Sequence, residues 1–164
     1  MALVSACSSQ SSDRPAQESN ARAKGAAGLA AQAKANEAAR LARTAQAKDG
    51  ALLFVTRAQN ACRELTRKIE GLTMESTVGF SELDSFIPLD LYPTDPFSAY
   101  VNERASAEVR SQLTQLVGSV VELLRSLERR QATALQEKKL KALASTDTYC
   151  ESVRAAGAGV GALR

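Results

Sequence analysis

The sequence predicts an all-α protein, a helical bundle of long amphipathic helices with a long proline-containing connecting loop. Three observations predict it. Aromatic residues make up 4% of the 164 residues and Trp is absent, whereas strands favour aromatic and β-branched side chains. Thirteen of the twenty-seven residues from Ala21 to Ala47 are alanine, the best helix former because it loses no side-chain entropy. Downstream, large apolar residues recur at three-four spacing over two long stretches, the period of a helix with one buried face.

The chain opens on Val4-Ser5-Ala6-Cys7 followed by Ser8-Ser9-Gln10-Ser11-Ser12. An aliphatic residue, two small residues and a cysteine resemble the lipobox of bacterial lipoproteins. That resemblance implies that Cys7 carries a diacylglyceryl group and becomes the first mature residue, at the periplasmic face of a bacterial outer membrane. A secretory signal also needs a basic n-region and an apolar h-region. Met1-Ala2-Leu3 is neither, so this reading places Met1 inside a longer, clipped apolar segment. The first 45 residues contain only Asp13, Glu18 and Glu37 as acids, a composition that also resembles a basic, Ser-rich organelle transit peptide. An intracellular or organellar location is therefore the alternative.

Residues 1–20 read as clipped signal and polar tether, since Ser8 to Asn20 offers nothing to bury. Residues 21–49 read as an Ala-rich helix with Leu29 and Leu41 its only large apolar residues, suited to act as a spacer or to lie against a partner. The bundle domain is expected over 50–156. Leu52, Val55, Ala58, Cys62, Leu65 and Ile69 form a stripe widened by Phe54 and Ala61, and Gly71 ends the helix.

Leu72 to Pro96 contains Pro88, Pro93 and Pro96 among large apolar residues. Proline forbids a continuous helix, and so many apolar side chains do not sit freely in water. A docked loop follows. Its Phe80, Phe86, Ile87, Leu89, Leu91 and Tyr92, with Phe97 just beyond, are the candidate surface for a protein partner. The competing reading is a lid that closes the bundle.

A long helix is expected from Ser98 to Ala144, with Val101, Ala105, Val109, Leu113, Leu116, Val120, Leu123 and Leu127 on its buried stripe. The stripe is broader than the seam of a two-stranded coiled coil. Ser145-Thr146-Asp147 should interrupt it, Thr148-Tyr149-Cys150-Glu151 should cap a last short helix, and residues 157–164 should form a flexible, glycine-rich tail.

Cys62 and Cys150 remain once Cys7 is set aside, and in an exported chain an even pair implies a disulfide. Geometry restricts it. An unbroken helix from Ser98 to Ala144 is about 70 Å long, whereas Cys62 stands only about 14 Å before Gly71. Bonding requires Cα atoms within about 7 Å. Either the long helix breaks, at Gly118 or at Arg129-Arg130-Gln131, or the apolar loop runs back along the bundle.

Catalytic chemistry is not expected. The chain has no histidine, which excludes Ser-His-Asp and Cys-His arrangements and ordinary zinc sites, and it has no P-loop and no GxSxG elbow. Glu82 with Asp84, and Asp90 with Asp95, have no recognised ligand spacing and read as solvated loop residues. No metal, cofactor or small-molecule substrate is implied. Arg125, Arg129, Arg130, Lys138, Lys139 and Lys141 form a candidate basic patch. Without aromatic residues among them to stack on bases, nucleic acid is not the expected partner, and a solvated face is the plainer reading. The expected partners are a protein, met through a helix groove or the apolar loop, and a membrane, met through the lipid anchor. A small helical lipoprotein with a cysteine pair is similar in plan to secretion-system pilotins, and the rival is an intracellular helical adaptor.

Overall fold

The computed structural model describes residues 14–162, with side chains placed from 27 to 161. Five α-helices follow one another: α1 (Arg14–Gly71), α2 (Leu83–Phe86), α3 (Asp95–Tyr100), α4 (Glu103–Glu128) and α5 (Ala132–Ala162), with 3-10 turns at Phe80–Glu82 and Leu89–Leu91. No strand occurs among the described residues. The all-α bundle expected from composition and period is the fold.

The chain divides into two compact units, Met1–Arg43 and Thr44–Arg164. In the first, every residue from 27 to 43 is exposed, and the polar contacts include a two-pronged pair in which Arg40 Nε and Nη2 donate to Glu37 at 2.9 and 2.7 Å. Helix here follows from alanine propensity. α1 begins at Arg14, so the latter part of the expected tether is helical. Pro15 suits a first helical turn, where its missing N–H has no intrahelical partner to lose.

The second unit holds the core. From α1 it takes Ala51, Phe54, Val55, Ala58, Ala61, Cys62, Leu65 and Ile69, all buried. Leu52, expected on this stripe, is 39% exposed and Ala51 is buried in its place. From α4 the core takes Val109, Leu113, Leu116, Val120, Leu123, Leu124 and Leu127, the expected stripe. α4 does not extend back to Ser98, which lies in the separate helix α3. Val101 is extended, and Asn102 caps α4 by accepting the Ala105 N–H on Oδ1 at 2.8 Å.

The long helix breaks at Arg129–Gln131 and not at Gly118. Arg130 has φ 54°, the left-handed conformation that ends many helices. Its N–H donates to Leu127 O, and Gln131 N donates to Ser126 O, both at 2.9 Å, the paired bonds of a Schellman turn. α5 is then unbroken through the Ser-Thr-Asp run and the glycines, contrary to the expected interruption, capping box and loose tail. Thr146 and Thr148 donate their hydroxyls to Ala142 and Ala144 carbonyls within the helix at 2.8 and 2.9 Å. Tyr149, Val153, Ala156 and Val160 are buried, and that packing outweighs the glycine entropy cost. Gly157 is required for it, since a Cβ there would stand 2.7 Å from Val55 Cγ1.

Cys62 and Cys150 form a disulfide with Cα atoms 6.2 Å apart. Together with the Gly157–Val55 approach, it fixes α5 antiparallel to α1, each step along one matching a step back along the other. The connecting segment between Leu72 and Asn102 climbs the bundle. Phe86 lies near Lys68, Leu91 against Tyr149, Phe97 against Phe54 at 4.5 Å between ring centroids, and Pro96 against Gly50. It therefore returns the chain to the far end, and α4 starts parallel to α1. Both geometric routes to the disulfide, a helix break and a returning loop, are used together.

Candidate functional site

The returning segment sorts its apolar residues into two sets. Phe86, Ile87, Leu91 and Phe97 are buried in the core. Leu89 is 81% exposed, Tyr92 45% and Phe80 38%. Of the seven residues considered for partner binding, the first four close the bundle, which leaves the other three on the surface. The loop is a lid on its inner side and an apolar surface on its outer side.

Polar contacts hold this arrangement. The buried Tyr149 hydroxyl donates to the Leu91 carbonyl, and burial pushes that phenol's pKa up. Lys68 donates to the Ser85 and Phe86 carbonyls at 3.4 and 3.3 Å while pairing with Glu64 at 2.8 Å. Glu82 accepts the Gly79 N–H at 3.3 Å and so caps the turn that it ends. With Leu91 fastened from below, Leu89 and Tyr92 on either side of it are turned outward by the 3-10 turn.

Leu89 and Tyr92 meet α1 around a concavity of about 240 Å³, whose other walls include Leu53, Phe54 and Pro96 and whose polar margin includes Arg57, Asp90 and Thr94. Leu53 is 51% exposed. Three large apolar side chains around a small apolar hollow, with charge at the margin, match the anatomy of a protein-binding surface, in which a partner's apolar side chain fills the centre. Phe80 stands apart, its ring covered by the Arg125 guanidinium at 4.7 Å.

The six cations considered as a basic patch are dispersed around the α4–α5 turn, and most are engaged within the chain. Lys138 and Lys141 each donate to Glu122 at 3.0 Å. Hydrogen bonds from Lys141 and Lys138 hold the Glu122 carboxyl below its ordinary pKa, and Lys138 is raised in turn by Glu122. Lys139 donates to the Glu70 and Leu72 carbonyls at 2.6 and 3.1 Å, satisfying acceptors that the end of α1 leaves open. Arg130 donates to Met74 O. Arg129 is exposed. A single free cationic face is not assembled.

Cys7 and its flanks lie outside the described residues. Among the described residues, no group of three or more His, Cys, Asp or Glu is placed to hold a metal ion, and no helix is long and apolar enough to cross a membrane. Two contributors to the site were missed in the sequence. Leu53 falls off the buried stripe, and a lone leucine beside Phe54 carries no signal of its own. Tyr149 was read as part of a cap. Its apolar spacing with Val153 and Ala156 was the available sign that it faces inward. Comparison of the chain with protein-family models, curated proteins and solved structures yields no match.

Proposed function

We propose that this chain is a non-catalytic helical interaction or assembly module, a lipoprotein anchored through Cys7 at the periplasmic face of a bacterial outer membrane. Its bundle meets a protein partner at Leu53, Leu89 and Tyr92. The observation that carries the interaction reading is the outward half of the returning segment. Leu89 is the most exposed large apolar residue described, yet Ile87 and Leu91, two residues to either side, are buried and their N–H groups are hydrogen-bonded, so the side chain is presented on a fixed backbone. Preorganised apolar anchors bind with less loss of conformational entropy than flexible ones.

The periplasmic assignment rests on two supports. Disulfides persist in oxidising compartments and are rare in the cytosol, and Cys62 and Cys150 are bonded. The Val4–Cys7 resemblance supplies the anchor, and acyl chains contribute about 0.8 kcal/mol per buried methylene, so that two or more hold stably. A scaffold or pilotin-like role belongs to this class.

The test is the intact mass of the protein isolated from its own host, before and after reduction and alkylation, combined with a photo-crosslinking residue at position 89. A mass starting at Cys7 with acyl chains, two thiols released only by reductant, and a discrete protein adduct at 89 but not at 129 are expected. An unlipidated chain with free thiols would refute the anchored form and leave the intracellular adaptor. An adduct pattern identical at 89 and 129 would refute the binding surface.

A further inference from the structure

A second surface, on the side of the bundle where α1 and α5 are bonded, goes beyond that reading. The Cys62–Cys150 disulfide lines a groove of about 400 Å³ whose charged lining is Arg63, Arg67 and Glu70 of α1 with Asp147 and Arg154 of α5. Ion pairs among the described residues include those of Arg40 with Glu37, Lys68 with Glu64, and Lys138 and Lys141 with Glu122. None involves these three arginines. All three are exposed, and each guanidinium keeps five donors in a fork suited to carboxylate.

Their order along the groove follows from the helix register. With Cys62 opposite Cys150 and Val55 opposite Gly157, Arg154 stands level with Ala58, one turn and a half from Arg63, and Arg67 is one turn further. Along the helix axes the three arginines are spread over about 14 Å, Asp147 stands level with Leu65 between Arg63 and Arg67, and Glu70 ends the series about 4 Å beyond. A single small anion touches one or two of them. A polymer with charges at successive helical turns matches them all. Nucleic acid fits poorly, because Asp147 and Glu70 would face its phosphates and no aromatic side chain lines the groove to stack on a base.

We infer that this groove binds a charged helical segment of a partner protein, with carboxylates facing Arg154, Arg63 and Arg67 and cations facing Asp147 and Glu70. The channel between two antiparallel helices is the shape into which a third helix packs. Charge complementarity of this kind sets orientation and association rate, and it weakens with salt.

The probe is a fluorescein-labelled synthetic helix with Glu at positions i, i+4 and i+8 and Lys at i+7 and i+11, titrated by fluorescence polarisation against the full chain with its disulfide intact. A copy with every charge reversed and a single-stranded oligodeoxynucleotide of equal length are run beside it. Binding of this peptide is expected, with the reversed copy inactive. The double variant Arg63→Gln, Arg154→Gln should weaken binding about tenfold, and Arg129→Gln should leave it unchanged. Thermal unfolding of both variants should match the parent, because the replaced side chains are exposed. Equal binding of the reversed copy, no effect of the double variant, an equal loss in Arg129→Gln, or tighter binding of the oligonucleotide would each overturn the inference. The crosslinking result at position 89 is independent of all four.

Discussion

α1 contains two stretches that share a conformation and differ in what maintains it. From Ala27 to Arg43 every side chain is exposed, whereas from Ala51 to Ile69 one face is buried against α4, α5 and the returning segment. The first is helical because alanine gives up so little on ordering and neighbouring charges such as Glu37 and Arg40 pair along its surface. The second includes Phe54, Val55, Cys62 and Ile69, middling helix formers whose place is set by what they touch. Propensity therefore yields a helix that melts gradually, and packing yields one that melts together with its neighbours.

The largest expected effect separates the two stretches. Replacing Cys62 and Cys150 by alanine opens a loop of 88 residues, which on the chain-entropy model costs about 4.5 kcal/mol. Urea unfolding followed by near-ultraviolet absorbance should show the bundle transition move to much lower urea. A peptide spanning residues 21–43, which contains no cysteine, should lose helix gradually with urea by circular dichroism. An unchanged bundle midpoint would mean that the disulfide does not constrain the unfolded chain.

Tyr149→Phe comes next, at about 1 to 2 kcal/mol, because it leaves the buried Leu91 carbonyl without its donor. The variant also isolates a pH effect. The folded phenol is raised above its unfolded value, which is about 10. The stability it contributes is therefore complete below about pH 10 and lost as pH rises further. Unfolding free energies measured at increasing alkaline pH should fall less steeply in Tyr149→Phe than in the parent. Parallel slopes would remove the phenol from the account.

The same substitution applied to both stretches gives the finest contrast. Gly157→Ala places a methyl 2.7 Å from Val55 Cγ1, and the overpacking, less the gain in helix propensity, should cost about 1 kcal/mol. Gly28 has nothing within 4 Å of its Cβ position, so Gly28→Ala should raise local helicity by about 1 kcal/mol of propensity and leave the bundle midpoint where it was. Amide exchange by mass spectrometry reads the first as faster exchange in α5 and the second as slower exchange around residue 28. Two changes of the same sign would erase the distinction between the stretches.

The α4 stripe was legible because its period persists for seven turns, and Arg129-Arg130-Gln131 was legible as a break because the stripe thins there. α5 was misread in the middle. Ser145-Thr146-Asp147 and the terminal glycines are local signals against helix, and they were overruled by contacts of Tyr149 and Val160 with residues far away in sequence. The candidate site was half legible. Its apolar residues could be named, but a segment without periodicity gives no rule for which side chain turns inward, and Leu89 and Leu91 are the same residue with opposite fates. The groove beside the disulfide needed the antiparallel register before Arg154 could be brought to the level of Ala58.

The parallel course of α1 and α4 also has a consequence in time. Cys62 leaves the ribosome 88 residues ahead of its partner, a wait of about 4 to 18 s at about 5 to 20 residues per second. During that interval the returning segment and α4 are made, but the part of α5 that covers its thiol is not. The disulfide thus forms only after the returning segment and α4 have been made, and an oxidant that acts while the chain is emerging meets Cys62 before Cys150 has been made.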